Sequence, residues 1–439
     1  MGAFRVGFIS LGCCKNLVDS QNIITLLMKK GYQVSSTYED ADAVIVNTCG
    51  FIEDSVKESL EVIGEALEHC PNVIVTGCLG PNRKLILDTW PGVKAITGPH
   101  SASAVLREMK RLFALPAETP AGRVPSGGVL LTPPHYAYLK ISEGCSNKCT
   151  FCIIPHLRGP LESFPGEELI ARAHNYVSRG VKELLVVAQD TSAYGIDRGY
   201  PGFSGHERGD LYALMEELSR LKVWLRVHYA YPYPHVTRLI EMMAEGKVLP
   251  YMDVPFQHAS RHMLQLMKRP GDADRILETV SRWRNICPDI TVRSSFIVGF
   301  PGETEEDFTE LLDFIREIRL DRVGCFTFSP MPEAPASSFP GQISAEVKQE
   351  RYERFMEVQQ KISAAKMQAK IGTVQEVLVD TVDEKGIISR TKADAPDIDG
   401  VMYLHAPRGL RVRPGDLLRA RVTASDEYDL EGDIIADAS

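Results

Sequence analysis

Residues 136–152 read YAYLKISEGCSNKCTFC. An alternating apolar run, Tyr136 to Ile141, gives way to the turn Ser142-Glu143-Gly144, and Cys145, Cys149 and Cys152 follow at the spacing CxxxCxxC. A short loop with this spacing, at the end of a predicted strand, can point three thiolates at one centre. Iron–sulfur clusters are held by cysteine thiolates, normally four. Three leave one iron open to a substrate or cofactor, and chemistry is expected there. Zinc is the competing reading, but structural zinc usually takes four ligands as a close pair with a second pair downstream. No second close pair occurs, and the nearby His156 reads as part of a Pro-flanked turn. The ten cysteines fall mostly singly, without a disulfide-rich pattern, which points to a reducing compartment.

Upstream of this loop, short apolar runs alternate with helical patterns. Phe4 to Ile9 ends in Ser10-Leu11-Gly12-Cys13-Cys14. Leu17, Ile24, Leu27 and Met28 then follow at helical spacing, and Gly31 stops them. Ala43 to Val46 ends in Asn47-Thr48-Cys49-Gly50, a helix is predicted from Glu53 to His69, and Val73 to Val75 ends in Thr76-Gly77-Cys78. Such alternation predicts an α/β unit with a doubly wound parallel sheet. In that sheet all strand carboxyl ends share one edge, where open α/β sheets bind ligands. A single cysteine beside a strand reads as a small buried hydrophobe. Cys13, Cys49 and Cys78 occupy three equivalent places, each next to a glycine, and so read as a second convergent thiolate set.

Downstream the character changes twice. Pro116, Pro120, Pro125, Pro133 and Pro134, with Gly122, Gly127 and Gly128, mark a linker. Strand–helix alternation then resumes. Strands are predicted at Tyr136 to Ile141, Glu183 to Val187, Trp224 to Tyr229, Met252 to Phe256, Thr291 to Val298 and Arg322 to Phe328. Six βα units suit a partial (β/α)6 TIM-like barrel better than a full eightfold one. Its strand carboxyl ends would face the cysteine loop: Gln189-Asp190-Thr191, His228 to Pro232, Gln257-His258-Ala259 and Gly299 to Thr304. A polar helix is expected over Ile343 to Ile371. After Gly372, short β-like runs at Val374 to Val379, Gly386 to Ser389, Val401 to Leu404 and Leu417 to Val422 predict a small β-barrel. The expected division is 1–125, a linker at 126–134, 135–371 and 372–439.

Composition excludes some classes. A formal net charge of −9 over 439 residues disfavours non-specific nucleic-acid binding. No apolar run approaches the roughly 18 residues of a membrane span, so no membrane partner is expected. No cationic, apolar leader opens the chain, and the expected location is cytoplasmic.

The stretch EGCSNKCTFCIIPHLRG resembles the signature of the radical S-adenosylmethionine enzymes, in particular the methylthiotransferases. The resemblance implies a 4Fe–4S cluster on Cys145, Cys149 and Cys152 whose open iron binds S-adenosylmethionine. One electron, from a donor such as flavodoxin or ferredoxin, would then yield a 5′-deoxyadenosyl radical. It also implies that Phe151 packs near the adenine. LGCCKNLVDSQ, NTCGFI and TGCL are similar to the three cysteine motifs of the family's amino-terminal domain, which implies a second, auxiliary 4Fe–4S cluster on Cys13, Cys49 and Cys78. The family often has Pro where this chain has Cys14. Cys70, Cys287 and Cys325 match no motif and read as structural. VVAQDTSAYG, HYAYPYP, DVPFQHAS and IVGFPGET also resemble family text, and such strand ends help hold S-adenosylmethionine. No catalytic side chain is assigned; His258 reads equally as a general base or a hydrogen-bonded structural histidine. The last module resembles the TRAM domain.

TRAM domains often bind RNA, which suggests a transfer RNA substrate carrying a modified adenosine. Charge argues otherwise, because residues 372–439 hold eight Lys and Arg against fourteen Asp and Glu. Phosphate backbones are bound by Lys and Arg, so a net acidic module suits a basic partner. RTKADAPDIDG, QDTSAYG and KNLVDS resemble the branch that acts on ribosomal protein S-12. The resemblance implies methylthiolation of an aspartate β-carbon in that protein, free or on the small ribosomal subunit, with transfer RNA the alternative substrate.

Overall fold

The computed structural model describes residues 4–38, 40–116 and 119–435; the first three residues, Glu39, Ala117, Glu118 and the last four, with the acidic Asp437 counted above, lie outside the described residues. The first unit is a five-stranded sheet in the order Gln33–Ser35, Arg5–Ser10, Ala43–Thr48, Val73–Gly77, Ala95–Ile96, with every pairing parallel. Ala43–Thr48 and Val73–Gly77 are buried at every position, because helices cover both faces. Helices Cys14–Lys29 and Ala102–Leu112 pack on Val6, Phe8, Ile45 and Ile74, while Glu53–His69 and Arg83–Thr89 pack on Val44, Val46, Val73 and Val75. The strand order reverses between Arg5–Ser10 and Ala43–Thr48, which makes the crevice at their carboxyl ends a topological switch point.

The Pro- and Gly-rich segment forms no helix or strand between Leu112 and Tyr136 among the described residues. It is nevertheless tied down: the Gly122 N–H donates to the Met28 carbonyl (3.0 Å), the Val129 N–H to Thr25 Oγ1 (2.9 Å), and Arg179 to the Gly128 carbonyl (2.7 Å).

Six parallel strands follow, adjacent in space as in sequence: Tyr136–Lys140, Glu183–Val187, Trp224–Val227, Tyr251–Asp253, Thr291–Val298 and Arg322–Thr327. The first and last do not pair, so the barrel is partial. Ala137, Leu139, Leu184, Val186, Leu225, Val227, Met252 and Val292 belong to the large apolar core under the helices. Alternate residues point to the opposite face, and there Tyr138, Lys140, Glu183, Arg226, Tyr251, Asp253 and Arg293 give the barrel a polar interior. Trp224–Val227 and Tyr251–Asp253 end two and three residues earlier than their apolar runs predict, and Tyr136–Lys140 and Arg322–Thr327 one residue earlier. Tyr229 and Gln257 take left-handed backbone angles (φ 59° and 76°), a strained state for side-chain-bearing residues that collects at functional sites. His156 is not in a turn: it lies in the short helix Ile154–Arg158, whose first turn Pro155 opens.

Helix Ala345–Gln368 leads from the barrel, with Phe355 and Ile362 in the central core and Met367 in the next. The last module is a closed five-stranded barrel: Val374–Asp383, Gly386–Thr391, Met402–His405, Leu430–Ile434 and Leu417–Ser425. Leu430–Ile434, without a counterpart in the sequence reading, completes it. The module docks through ion pairs. Arg390 joins Glu183 (2.6 Å) and Asp380 (2.7 Å), Asp394 pairs with Arg322, Asp399 with Arg293 (3.4 Å), and Tyr138 donates to Asp397 (3.3 Å). Glu376 also accepts from Trp224 of the barrel (3.0 Å), so five of the fourteen acidic residues are engaged within the module or with the barrel. The formal sum overstates the acidity that the module offers a partner.

Candidate active site

Cys13, Cys49 and Cys78 leave the carboxyl ends of Arg5–Ser10, Ala43–Thr48 and Val73–Gly77, around the switch point. The crowding there selects glycine at two neighbours. Gly12 has φ 86°, and a Cβ on it would meet the Cys49 side chain at 3.1–3.2 Å. Gly77 has φ 93°, and a Cβ would lie 2.4 Å from Asn47 Oδ1. Cys13 reaches solvent, Cys49 is half-buried and Cys78 is buried. Desolvation pushes the Cys78 thiol up to about 11, against the pull of Arg158. Cys13 is desolvated too, but Lys15, backbone amides and Arg158 outweigh this and hold its thiol below the ordinary value. Cys13 also occupies the N-cap of helix Cys14–Lys29, where the helix dipole favours a thiolate.

The second triad follows the strand Tyr136–Lys140, and side chains from other strand ends hold its loop. Asn147, between Cys145 and Cys149, donates to Asp190 (2.8 Å), and Tyr233 donates to Asn147 Oδ1 (3.1 Å). Thr150 binds the Leu266 and Met267 carbonyls. The Arg269 guanidinium lies 3.9 Å from Cys149 Sγ and 4.0 Å from the Tyr231 ring. Burial pushes the Cys145 thiol up, and the Cys152 thiol up to about 12. Phe151 is half-buried against Met263, Met267, Phe300 and Phe328.

The two triads are joined by a buried polar network. Lys140 contacts both Asp19 and Glu143; Arg158 contacts Asp19 (3.0 Å), Glu143 (2.7 Å) and Asn16 (3.3 Å). His100 lies 3.3 Å from Glu143 and 3.5 Å from Asp19. Desolvation alone would raise the Asp19 carboxyl, but Lys140, His100 and Arg158 hold it well below the usual carboxylate range. Two anions therefore face two cations, and no added cation is needed to balance them. Nearby, Cys14 Sγ is 3.6 Å from the Tyr229 hydroxyl, and the Lys15 ammonium sits 3.3 Å from the Tyr229 ring centre.

The residues present fit iron–sulfur clusters. Each triad offers three soft sulfur donors, and burial disfavours the thiolates of Cys78, Cys145 and Cys152 unless a cationic centre compensates, as coordination does. A single tetrahedral zinc would draw its sulfurs to about 3.8 Å of one another. Among the described residues, the one set of three ligand groups with all atoms within 4.8 Å is Asp19, His100 and Glu143, so neither triad is drawn in that tightly. A multi-iron cluster takes more widely spaced thiolates.

The six cysteines of the sequence reading thus fall into two groups at two sheet edges that face each other. His258 is fully buried, its Nε2 3.0 Å from Glu303 and its Nδ1 accepting from the Ser260 N–H. Sequence reasoning missed Asp19, Lys140, Glu143, Arg158 and Arg269. A lysine inside an alternating apolar strand run was the available signal for Lys140.

Residues 139–315 match the model of the radical SAM superfamily, residues 5–98 that of "Uncharacterized protein family UPF0004", and residues 371–435 that of the TRAM domain. Among solved structures, the fold is similar to the radical S-adenosylmethionine methyltransferase TsrM of Kitasatospora setae, with a TM-score of 0.57 at 13% identity, covering 87% of this chain and 79% of that one. The fold and site are those of a radical S-adenosylmethionine enzyme. Curated relatives named "Ribosomal protein uS12 methylthiotransferase RimO" are 55% identical in Vibrio cholerae (99% of this chain, 93% of the relative), Proteus mirabilis (98% of each) and Escherichia coli (98% of each). The chain belongs to the RimO family of methylthiotransferases.

Proposed function

We propose that this chain attaches a methylthio group to the β-carbon of an aspartate in ribosomal protein S12, using S-adenosylmethionine and two 4Fe–4S clusters. Cys145, Cys149 and Cys152 hold the cluster that engages S-adenosylmethionine, and Cys13, Cys49 and Cys78 hold the auxiliary one. The observation that carries this reading is the apposition of two cysteine triads, each at the carboxyl edge of a parallel sheet, through the Asp19–Lys140–Glu143–Arg158 network. When bound, the clusters and S-adenosylmethionine supply one-electron chemistry able to functionalise an unactivated C–H bond, which acid–base groups alone cannot do.

The protein's own side chains bind, orient and exclude water. Asn147, Asp190 and Tyr233 fix the Cys145 loop. Phe151, with one side against Met263 and Phe300, offers its remaining surface to the adenine. Tyr229 reaches from the barrel to the helix that starts beside Cys13. An electron donor such as flavodoxin or ferredoxin serves the site, in the cytoplasm. Asp426, Glu427 and Glu431 remain on the outer surface of the last module to meet a basic protein.

Anaerobically reconstituted protein is expected to hold about eight irons. Replacing Cys145, Cys149 and Cys152 together with Ala halves that number. Unchanged iron in the triple variant contradicts the assignment of the loop.

A further inference from the structure

We infer that Arg158 is a positioning residue for the amino-terminal cysteine triad: carried by the loop of one triad, it fixes and polarises the other. The inference rests on the reading that both triads hold clusters. Arg158 ends the short helix that follows Cys152 and is buried, its side chain 1% exposed. Its guanidinium is held on three sides, by Asp19 Oδ2 (3.0 Å), Glu143 Oε1 (2.7 Å) and Asn16 Oδ1 (3.3 Å). A rigid, planar donor fork so clamped cannot swing away from what lies beyond it.

Beyond it lies the amino-terminal triad: the Arg158 charge opposes the desolvation of the Cys78 thiol and helps hold the Cys13 thiol down. The third cysteine is tied in through Asn16. The Asn16 side-chain amide donates to the Leu11 and Thr48 carbonyls, which belong to the segments leading into Cys13 and Cys49. One guanidinium from the barrel thus braces, through Asn16, the segments that lead into Cys13 and Cys49. Lys140 and Arg158 together balance Asp19 and Glu143, and of the two it is Arg158 that also donates to Asn16. A cation held beside ligating sulfurs favours the more reduced, more negative state of the cluster.

The test uses the full chain carrying Cys145→Ala, Cys149→Ala and Cys152→Ala, so that the amino-terminal centre is seen alone after anaerobic reconstitution. Arg158→Met combined with Glu143→Gln removes the guanidinium while leaving Asp19 facing Lys140, so the buried charge still balances. The expected result is a lower midpoint potential and an altered electron paramagnetic resonance signal for that centre. Arg158→Lys restores part of the shift, and Glu143→Gln alone does not lower the midpoint. Iron loss in the double variant, with thermal unfolding of the iron-free protein unchanged, also supports the inference. Iron loss together with lowered iron-free unfolding overturns it, since Arg158 then serves the fold alone. A midpoint and signal identical to the parent's overturn it as well, leaving the two-cluster reading intact. A parent background that binds no iron contradicts the two-cluster reading itself, and the inference falls with it.

Discussion

Gly77 shows how tightly the amino-terminal triad is built. Its φ of 93° and the 2.4 Å approach of Asn47 Oδ1 to a would-be Cβ leave no room for a side chain next to Cys78. Gly77→Ala is expected to cost about 1–3 kcal/mol, the range for forcing a side-chain residue into a sparsely populated backbone state. It should also weaken iron binding at Cys13, Cys49 and Cys78, measured as iron per chain alongside thermal unfolding. At this scale the cysteines were readable, because their position after apolar runs and beside glycines is local information. Arg158 was not readable as their partner. Its contacts with Asp19 and Asn16 join residues far apart in sequence and depend on how the first unit meets the barrel. Asn16 was hidden for the same reason, its work being done on the Leu11 and Thr48 carbonyls.

Among elements, the helix Glu305–Ile318 carries a full capping box. Thr304 Oγ1 accepts from the Asp307 N–H (3.1 Å), and Asp307 accepts from the Thr304 N–H (3.0 Å). Thr304→Ala should cost about 1 kcal/mol in unfolding free energy. Desolvation raises the Asp307 carboxyl, but Ser260, the Thr304 amide and His262 outweigh it and lower it to about 2 from an ordinary 3.8. A depressed carboxyl stabilises the fold above its unfolded value and loses that contribution as pH falls through the folded one. Acid titration of Asp307→Asn should therefore show a shallower loss of stability between pH 3.8 and about 2 than the parent. Helix Glu53–His69 and strands Glu183–Val187 and Thr291–Val298 match their sequence limits to the residue, because periodicity and burial there agree. Trp224–Val227 and Tyr251–Asp253 end early. Left-handed angles at Tyr229 and Gln257 follow these strand ends, and no glycine advertises them.

For the whole molecule, buried ion pairs lock three units together. Glu183 is fully buried between Arg226 (2.8 Å) and Arg390 (2.6 Å), at the seam of barrel and last module. Glu183→Gln leaves two guanidiniums without their shared anion. Breaking such a pair costs roughly 3–5 kcal/mol, and protease cleavage between barrel and module should become faster. The sequence total of acidic residues could not reveal this seam: composition counts charges without saying which way they face. Glu376, Asp380, Asp394, Asp397 and Asp399 are engaged within the module or with the barrel, and only the acids that remain free on its surface can attract a basic partner. The most direct test of the central claim is mass spectrometry after parallel incubation of the reconstituted, reduced enzyme and S-adenosylmethionine with ribosomal protein S12 and with transfer RNA. The account predicts a methylthio mass increment on one aspartate of S12 and none on the RNA; modification of the RNA alone would contradict it.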